Sequence, residues 1–354
     1  MGAFPFLGTL PFLYLAPMKK HQTTIVDIAK ELNISKSTVS RALTGHPSVH
    51  KSTREKVLAL ANELEYQRNM FSIGLIKKRS HTIGIIVPEF SRSFFPQVII
   101  GAQERAKEAG YNLIISQSDE SYITEVSNAS VMLAHQVDGL LVSITKETNN
   151  FEHFKIFQRK GIPIVFFNRV CDEMIVPKVI VEDYEGAYEA VEHLIKKGRK
   201  RIAHLSGPES LSISKRRTNG YKDALRKHHL PVDDALIINY DLSISKVPIY
   251  INYFLNLPER PDAIFCINDP TAIEAMRVIK QRGLKIPEDI SVIGFSNDFV
   301  SSLIEPSLTT VEQPIKEIGR TAAQLLLEQM DRDVADWKAA TVVLKTKLIV
   351  RESS

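Results

Sequence analysis

Apolar residues recur at helical spacing early in the chain and in strand-length runs later, and the rhythm changes near residue 80. Between Thr24 and Leu43 the sequence is TIVDIAKELNISKSTVSRAL. Ile25, Ile28, Ala29 and Leu32 fall three or four residues apart, which puts them on one face of a helix. Asn33 follows where the chain must turn, and its short amide tolerates a left-handed backbone. Ser35 is placed to cap a second helix by accepting a backbone N–H. In that helix Ile34, Val39, Ala42 and Leu43 pack inward, leaving Lys36, Ser37, Thr38, Ser40 and Arg41 outside. After the turn-rich loop TGHPSVH, Ser52-Thr53-Arg54-Glu55 has the form of a capping box and predicts a third helix running to about Tyr66. On spacing alone the opening pair fits an ordinary helical hairpin as well as a DNA-reading element.

From His81 strand-length apolar runs alternate with helical stretches. The runs are 83–87, 112–116, 138–142 and 162–167, then 201–205, 235–239, 263–267 and 291–295. Between them lie stretches of helical character such as Gln97–Ala109, Glu185–Lys197 and Thr271–Arg282, the last ending at Gly283. Continuous apolar strands alternating with helices predict parallel sheets covered on both faces. So long a body exceeds one comfortable core, so two α/β lobes are expected.

Charge separates the head from the body. The net charge of +4 hides 12 Lys/Arg against 5 Asp/Glu from Met18 to Ser80, and 33 against 36 beyond. A basic head on a mildly acidic body suggests that only the head meets nucleic acid. Cys171 and Cys266 stand far apart without metal-ligand spacing, which fits free thiols in a reducing cytoplasm. Residues 1–17 are apolar, but the basic pair Lys19-Lys20 follows the run instead of preceding it, unlike a secretory signal. The run is also too short and proline-broken for a membrane helix. A poorly ordered extension is expected, with Met18 a plausible start and a short membrane-associating segment the alternative.

No GxGxxG follows the first strand, and no GxxxxGK[ST], GxSxG or HExxH occurs. This tilts the body toward binding and away from catalysis. Two rivals remain: an extracytoplasmic sugar-binding protein, and an enzyme such as a sugar kinase or phosphatase carrying a regulatory head.

At this point the residues resemble the lactose/galactose repressor (LacI/GalR) family. The resemblance covers about Thr23 to Glu352. It is most specific in S-K-S-T-V-S-R followed by S-T-R-E-K-V, and extends to DISVIGFSNDFVSSLIEPSLTTVEQP near the end. It implies a small all-α helix-turn-helix head and an α/β two-lobed, periplasmic-binding-protein-like body with parallel sheets. The expected divisions are an extension at 1–22, the head at 23–67 and a hinge at 68–80. A first lobe would span 81–167 and 312–340, and a second 168–311 and 341–354. The implied protein is a cytoplasmic, nucleoid-associated transcription regulator, expected to be a repressor and not an enzyme. It would bind a near-palindromic operator as a homodimer or tetramer, take a small sugar-like effector between its lobes, and need no cofactor, metal or membrane.

The resemblance also assigns residues. Lys36, Ser37 and Arg41 fall where the second helix reads base edges, and Arg41 has the donors for guanine O6 and N7. Ser35, Thr38 and Ser40 suit phosphate oxygens, with plain solvation the alternative for Thr38 and Ser40. The hinge asparagine is Asn69, and Leu75 aligns with a leucine that wedges into the minor groove. Arg68 and Ser72 depart from the usual hinge proline and alanine. Effector contacts are expected between the lobes, near the carboxyl ends of strands. Phe94 and Phe95 would stack on a sugar ring or serve the core. Asn168 and Arg169 end a strand, Arg217 matches an effector arginine, and Asn268-Asp269 match an N-D pair, with a helix-cap role open for Asp269. Ser296 stands where relatives often place an acid, and Glu182 or Asp183 would supply another.

Overall fold

The computed structural model describes residues 23–67 and 79–354. The extension 1–22 and the hinge positions Arg68, Asn69, Ser72 and Leu75 lie outside the described residues. The chain separates into two compact units, one ending at Ile76 and the other beginning at Lys77.

In the first unit, α1 (Ile25–Glu31), α2 (Lys36–Leu43) and α3 (Lys51–Glu63) enclose a core in which Ile28, Val39 and Val57 are fully buried. The capping box sits on α1, not α3. The Thr24 N–H donates to Asp27 Oδ2 at 2.8 Å, and Thr24 Oγ1 accepts from the Val26 N–H at 3.2 Å. Helix α3 starts one residue before the expected cap, with His50 at its N-cap and no side-chain cap bond. Ser52 thus falls inside the first turn, where its hydroxyl meets His50 Nδ1 at 2.9 Å. The helix ends at Glu63 and not near Tyr66, because Glu65 turns to φ 50° and Tyr66 folds back onto the core.

The second unit contains two six-stranded sheets. One is built from β1 (Thr82–Val87), β2 (Asn112–Gln117), β3 (Gly139–Val142), β4 (Ile164–Phe167), β5 (Lys178–Val181) and β11 (Thr341–Leu344). Its spatial order is β11-β5-β4-β3-β1-β2, all parallel. The other contains β6 (Ile202–Ser206), β7 (Ile237–Asn239), β8 (Ala263–Cys266), β9 (Ser291–Ser296), β10 (Thr309–Glu312) and β12 (Lys347–Ile349). Its order is β12-β10-β9-β8-β6-β7, with β12 antiparallel to β10. Helices cover both faces of each sheet. On the first sheet, α4 (Phe94–Glu108) and α11 (Ile315–Met330) pack on one face, α5 (Tyr122–Ala134) and α6 (Glu152–Arg159) on the other. On the second, α7 (Asp183–Lys196) and α8 (Ser212–Lys227) oppose α9 (Val247–Leu255) and α10 (Asp269–Gln281).

The lobes do not divide where the family resemblance placed their boundaries. Lys178–Val181 belongs to the first sheet, so the first lobe continues past residue 167, and it regains Thr341–Leu344. Glu312 still pairs within the second sheet. The physical reason is burial: between β4 and β11, Val179 and Val181 enter the core under α4 and α11, and Ile180 enters the one under α5 and α6. The chain therefore passes between lobes at Glu182, at Gln313–Pro314 and at Lys345–Thr346. Glu182 ties two of these passages: its carbonyl accepts from Thr346 Oγ1, and its carboxylate from the Thr346 N–H, both at 3.3 Å.

Helices α4 and α11 meet through a reciprocal pair of glycines. A Cβ at Gly101 would overlap the Lys316 carbonyl, and one at Gly319 would overlap the Val98 carbonyl. Because the obstacle is backbone, no rotamer change relieves it. Gly319→Ala is expected to cost about 1–3 kcal/mol or more, read as a lower urea midpoint. An unchanged midpoint would show that these helices are not held at this spacing.

Candidate functional site

The candidate DNA-reading surface is the outer face of α2. Asn33, at φ 51°, makes the sharp entry, and Ser35 Oγ accepts the Thr38 N–H at 3.1 Å. The same hydroxyl lies 2.7 Å from Ser37 Oγ and 2.8 Å from Thr38 Oγ1. Lys36, Ser37, Ser40 and Arg41 are exposed and Thr38 is half-buried, while Val39 and Ala42 anchor the opposite face. The structure thus presents two cations and several hydroxyls on one solvent-facing side of a rigidly seated helix.

The second site is a cleft between the lobes, at the carboxyl ends of the strands. Phe94, Phe95, Asn168, Arg169, Arg217, Asn268 and Ser296 all line it. Phe95 is buried as a core aromatic is, and it meets Phe94 edge-on at 5.1 Å in the cleft wall. Backbone shape helps to aim the wall: Asn168, Leu242 and Ser296 line the cleft with positive φ of 57°, 63° and 132°. Such conformations are uncommon outside glycine and persist where the surroundings dictate them.

Asp269 does not line the cleft. It is fully buried behind the wall, accepting from the Asp298 N–H at 2.7 Å, Ser301 Oγ at 2.8 Å and Thr310 Oγ1 at 2.5 Å. Nor does it cap α10, because Asn268 Oδ1 takes the Thr271 N–H at 3.0 Å. Its role is to hold the loop that carries Asp298, which does line the cleft.

Arg217 is likewise less free than its match to an effector arginine implied. Its Nε and Nη2 donate to Asp183 Oδ1 at 2.9 and 2.7 Å, and its Nη1 donates to the Ile267 carbonyl at 2.5 Å. The guanidinium carbon sits 3.6 Å from the centroid of the Phe295 ring. Burial pushes the Asp183 carboxyl up and the Arg217 guanidinium down, and each partner opposes the push on the other. Asp183 is therefore the arginine's counter-charge and not an open cleft acid, while Glu182 serves the interlobe passage.

Sequence reasoning missed Glu89, Arg92, Leu242, Asp298 and Gln313 in the lining. All follow strands within a few residues, so the strand-end rule reaches them once every strand is known. Four hydrogen bonds cross the cleft and hold it closed. Ser93 Oγ donates to Asp298 Oδ2 at 2.5 Å, and Arg92 Nη2 to the Leu242 carbonyl at 3.2 Å. Lys146 Nζ donates to the Asp241 carbonyl at 2.8 Å, and Ser210 Oγ to the Lys146 carbonyl at 3.0 Å.

Family comparison decides what these two sites belong to. Residues 24–69 match the model of the bacterial regulatory proteins of the lacI family. Residues 80–347 match that of the periplasmic binding proteins and sugar binding domain of the LacI family. The chain belongs to the LacI family. It is 33% identical over 332 residues to catabolite control protein A of Priestia megaterium, with 94% of this chain and 99% of the relative covered. It is 35% identical to the probable HTH-type transcriptional repressor ExuR of Bacillus subtilis (strain 168), covering 93% and 98%. Among solved structures it resembles the lac repressor dimer bound to operator and the anti-inducer ONPF. The TM-score there is 0.82 at 26% identity, covering 94% of this chain and 99% of that one. The complex of the transcriptional regulator CelR with cellobiose aligns at TM-score 0.72 and 27% identity, covering 94% and 100%. This LacI-family chain is accordingly a DNA-binding transcription regulator with a sugar-binding body, and not an enzyme. Among the described residues no His, Cys, Asp or Glu cluster is placed to hold a metal, and no helix is long and apolar enough to cross a membrane.

Burial raises the Asp269 carboxyl to about 6. The folded state therefore prefers the proton. The stability this contributes is full below the unfolded value near 4 and is lost as pH rises through about 6. Relative to Asp269→Asn, the wild-type chain is expected to lose about 2 kcal/mol between pH 4 and pH 6. Urea midpoints of both proteins across that range check it, and parallel profiles would contradict the raised value.

Proposed function

We propose that this protein is a repressor that binds a near-palindromic operator as a homodimer and is switched by a small sugar-like effector held between its lobes. It acts in the cytoplasm, on the nucleoid. The observation that carries the reading is the cleft itself, lined by aromatic and hydrogen-bonding side chains and tied shut by bonds from one lobe to the other. A ligand that changes the balance between open and closed lobes shifts a two-state equilibrium by its differential affinity for the two forms.

Lys36, Ser37 and Arg41 are assigned to base edges, and Ser35, Thr38 and Ser40 to phosphates; Asn69 and Leu75 are assigned to the minor groove. Their exposure on α2 supports the first two assignments. Self-association is supported by apolar side chains open to solvent on the second lobe, among them Ile249 (65% exposed), Phe299 (72%) and Leu303 (65%). Two-fold symmetry of the protein then implies two-fold symmetry of the site.

Selection from a random duplex pool by the purified protein tests the DNA reading, with enrichment of a near-palindrome expected. Arg41→Ala should weaken binding to that site by about 1–3 kcal/mol and relax preference at one position per half-site. No enrichment would overturn the reading, and equal loss on random DNA would make Arg41 a phosphate contact. In a thermal-shift screen of sugars, a ligand at 100 times its dissociation constant should stabilise by about 2.7 kcal/mol. Phe94→Ala should reduce that shift while leaving operator affinity unchanged without ligand; a full shift in the variant would remove Phe94 from the effector site.

A further inference from the structure

Two side chains of the cleft hold polar atoms that the closed chain leaves unsatisfied. Arg169 is only 5% exposed, and its Nε is buried without a hydrogen-bond partner. Its Nη1 is engaged, donating to both oxygens of Glu120 at 2.8 Å. Among the described residues Nη2 donates to no protein acceptor. A guanidinium presents Nε–H and one terminal N–H side by side, spaced for the two oxygens of a carboxylate. Glu120 leaves that edge open.

Gln313 is the second case. It is 5% exposed, its amide nitrogen donates to Ser296 Oγ at 2.9 Å, and its Oε1 accepts nothing. Arg169 and Gln313 line the same cleft as Phe94 and Phe95. An occupant that completes this wall supplies acceptors to Arg169, a donor to Gln313 and an apolar ring face to the aromatics.

We infer that the effector is a sugar acid, with its carboxylate on the Nε/Nη2 edge of Arg169 and a hydroxyl donating to Gln313 Oε1. This rests on the proposed reading of the cleft as the effector site and names the ligand's chemical class. A pair of neutral hydroxyls meets the same edge, but only a carboxylate brings two rigidly spaced acceptors and an opposite charge to it, the bidentate pairing that adds geometric specificity as well as energy. Of the acids near the cleft, Glu89 pairs with Arg92 at 3.4 Å and Asp183 with Arg217, Asp298 accepts from Ser93, and Glu120 shares Arg169 with the ligand and so competes with it. Position 296 contributes a hydroxyl, not a charge.

Calorimetric titration of the full-length protein at pH 7 tests this with matched pairs differing in one group: glucuronate and glucose, galacturonate and galactose, mannuronate and mannose, gluconate and sorbitol. At least one acid should bind tenfold or more tightly than its neutral partner. Arg169→Gln should abolish that gap, and Arg169→Lys, which keeps the charge but not the edge, should shrink it. Glu120→Gln removes the competing carboxylate and should raise affinity for the acid several-fold, a gain that a misfolded variant cannot produce. Equal or tighter binding of the neutral partner would overturn the acid while leaving the sugar-effector reading intact. A preference that survives in Arg169→Gln would overturn the role of this arginine. Failure of every acid and every neutral partner to bind protein that still holds its operator would overturn the sugar-effector reading together with this one.

Discussion

The buried ion pair between Arg217 and Asp183 is the interaction on which the cleft depends. Asp183 opens the first helix after the chain leaves the first lobe, and Arg217 lies mid-way along the helix packed against it. The arginine also reaches the carbonyl at the end of β8 and lies over a phenylalanine of β9. One guanidinium thus fixes two helices and two strand ends relative to each other. Removing either partner would strand the other charge in a dry interior, which costs about 3–5 kcal/mol. A side chain so committed shapes the wall first and meets a ligand only with the N–H groups left over.

The first lobe answers with a different arrangement. Arg169 is held at one end by Glu120, whose other bond is to the backbone N–H of Lys146. Lys146 in turn reaches the Asp241 carbonyl of the second lobe. A residue of the ligand wall is therefore two hydrogen bonds from a tie that closes the cleft. Beneath the Lys146 loop, Glu125 is fully buried and bonds to Thr145, Thr148 and His153. This seats the loop on the first lobe's core.

Much of this was legible in the chain. Eight long apolar runs, alternating with helices, were enough for parallel sheets, because strands covered on both faces carry continuous apolar sequence. Asn33 and Ser35 announced the entry to α2 through local backbone chemistry that needs no tertiary partner. Three of the four strands that escaped notice were of another kind. Thr309–Glu312 carries one aliphatic residue, Thr341–Leu344 alternates at a sheet edge, and Lys347–Ile349 is three residues long. Their pairing partners come from distant parts of the chain, so their local pattern is weak.

By itself, the sequence determined the helix-turn-helix head, the two-lobed α/β body and seven of the residues that line the cleft. The elements follow from periodicity and capping, which act over short stretches of chain, while the DNA-reading role of the head and most site residues follow from motifs shared with the LacI family. Only the tertiary structure decided which charges are spent on the protein itself. Asp269 turned out to be a buried anchor, Asp183 a counter-ion and Arg217 a wall brace, whereas Arg169 kept one edge unclaimed. That division depends on which carboxylate lies within 3 Å of which guanidinium. Residues 34 and 49 positions apart settle it, and no local pattern records such a distance.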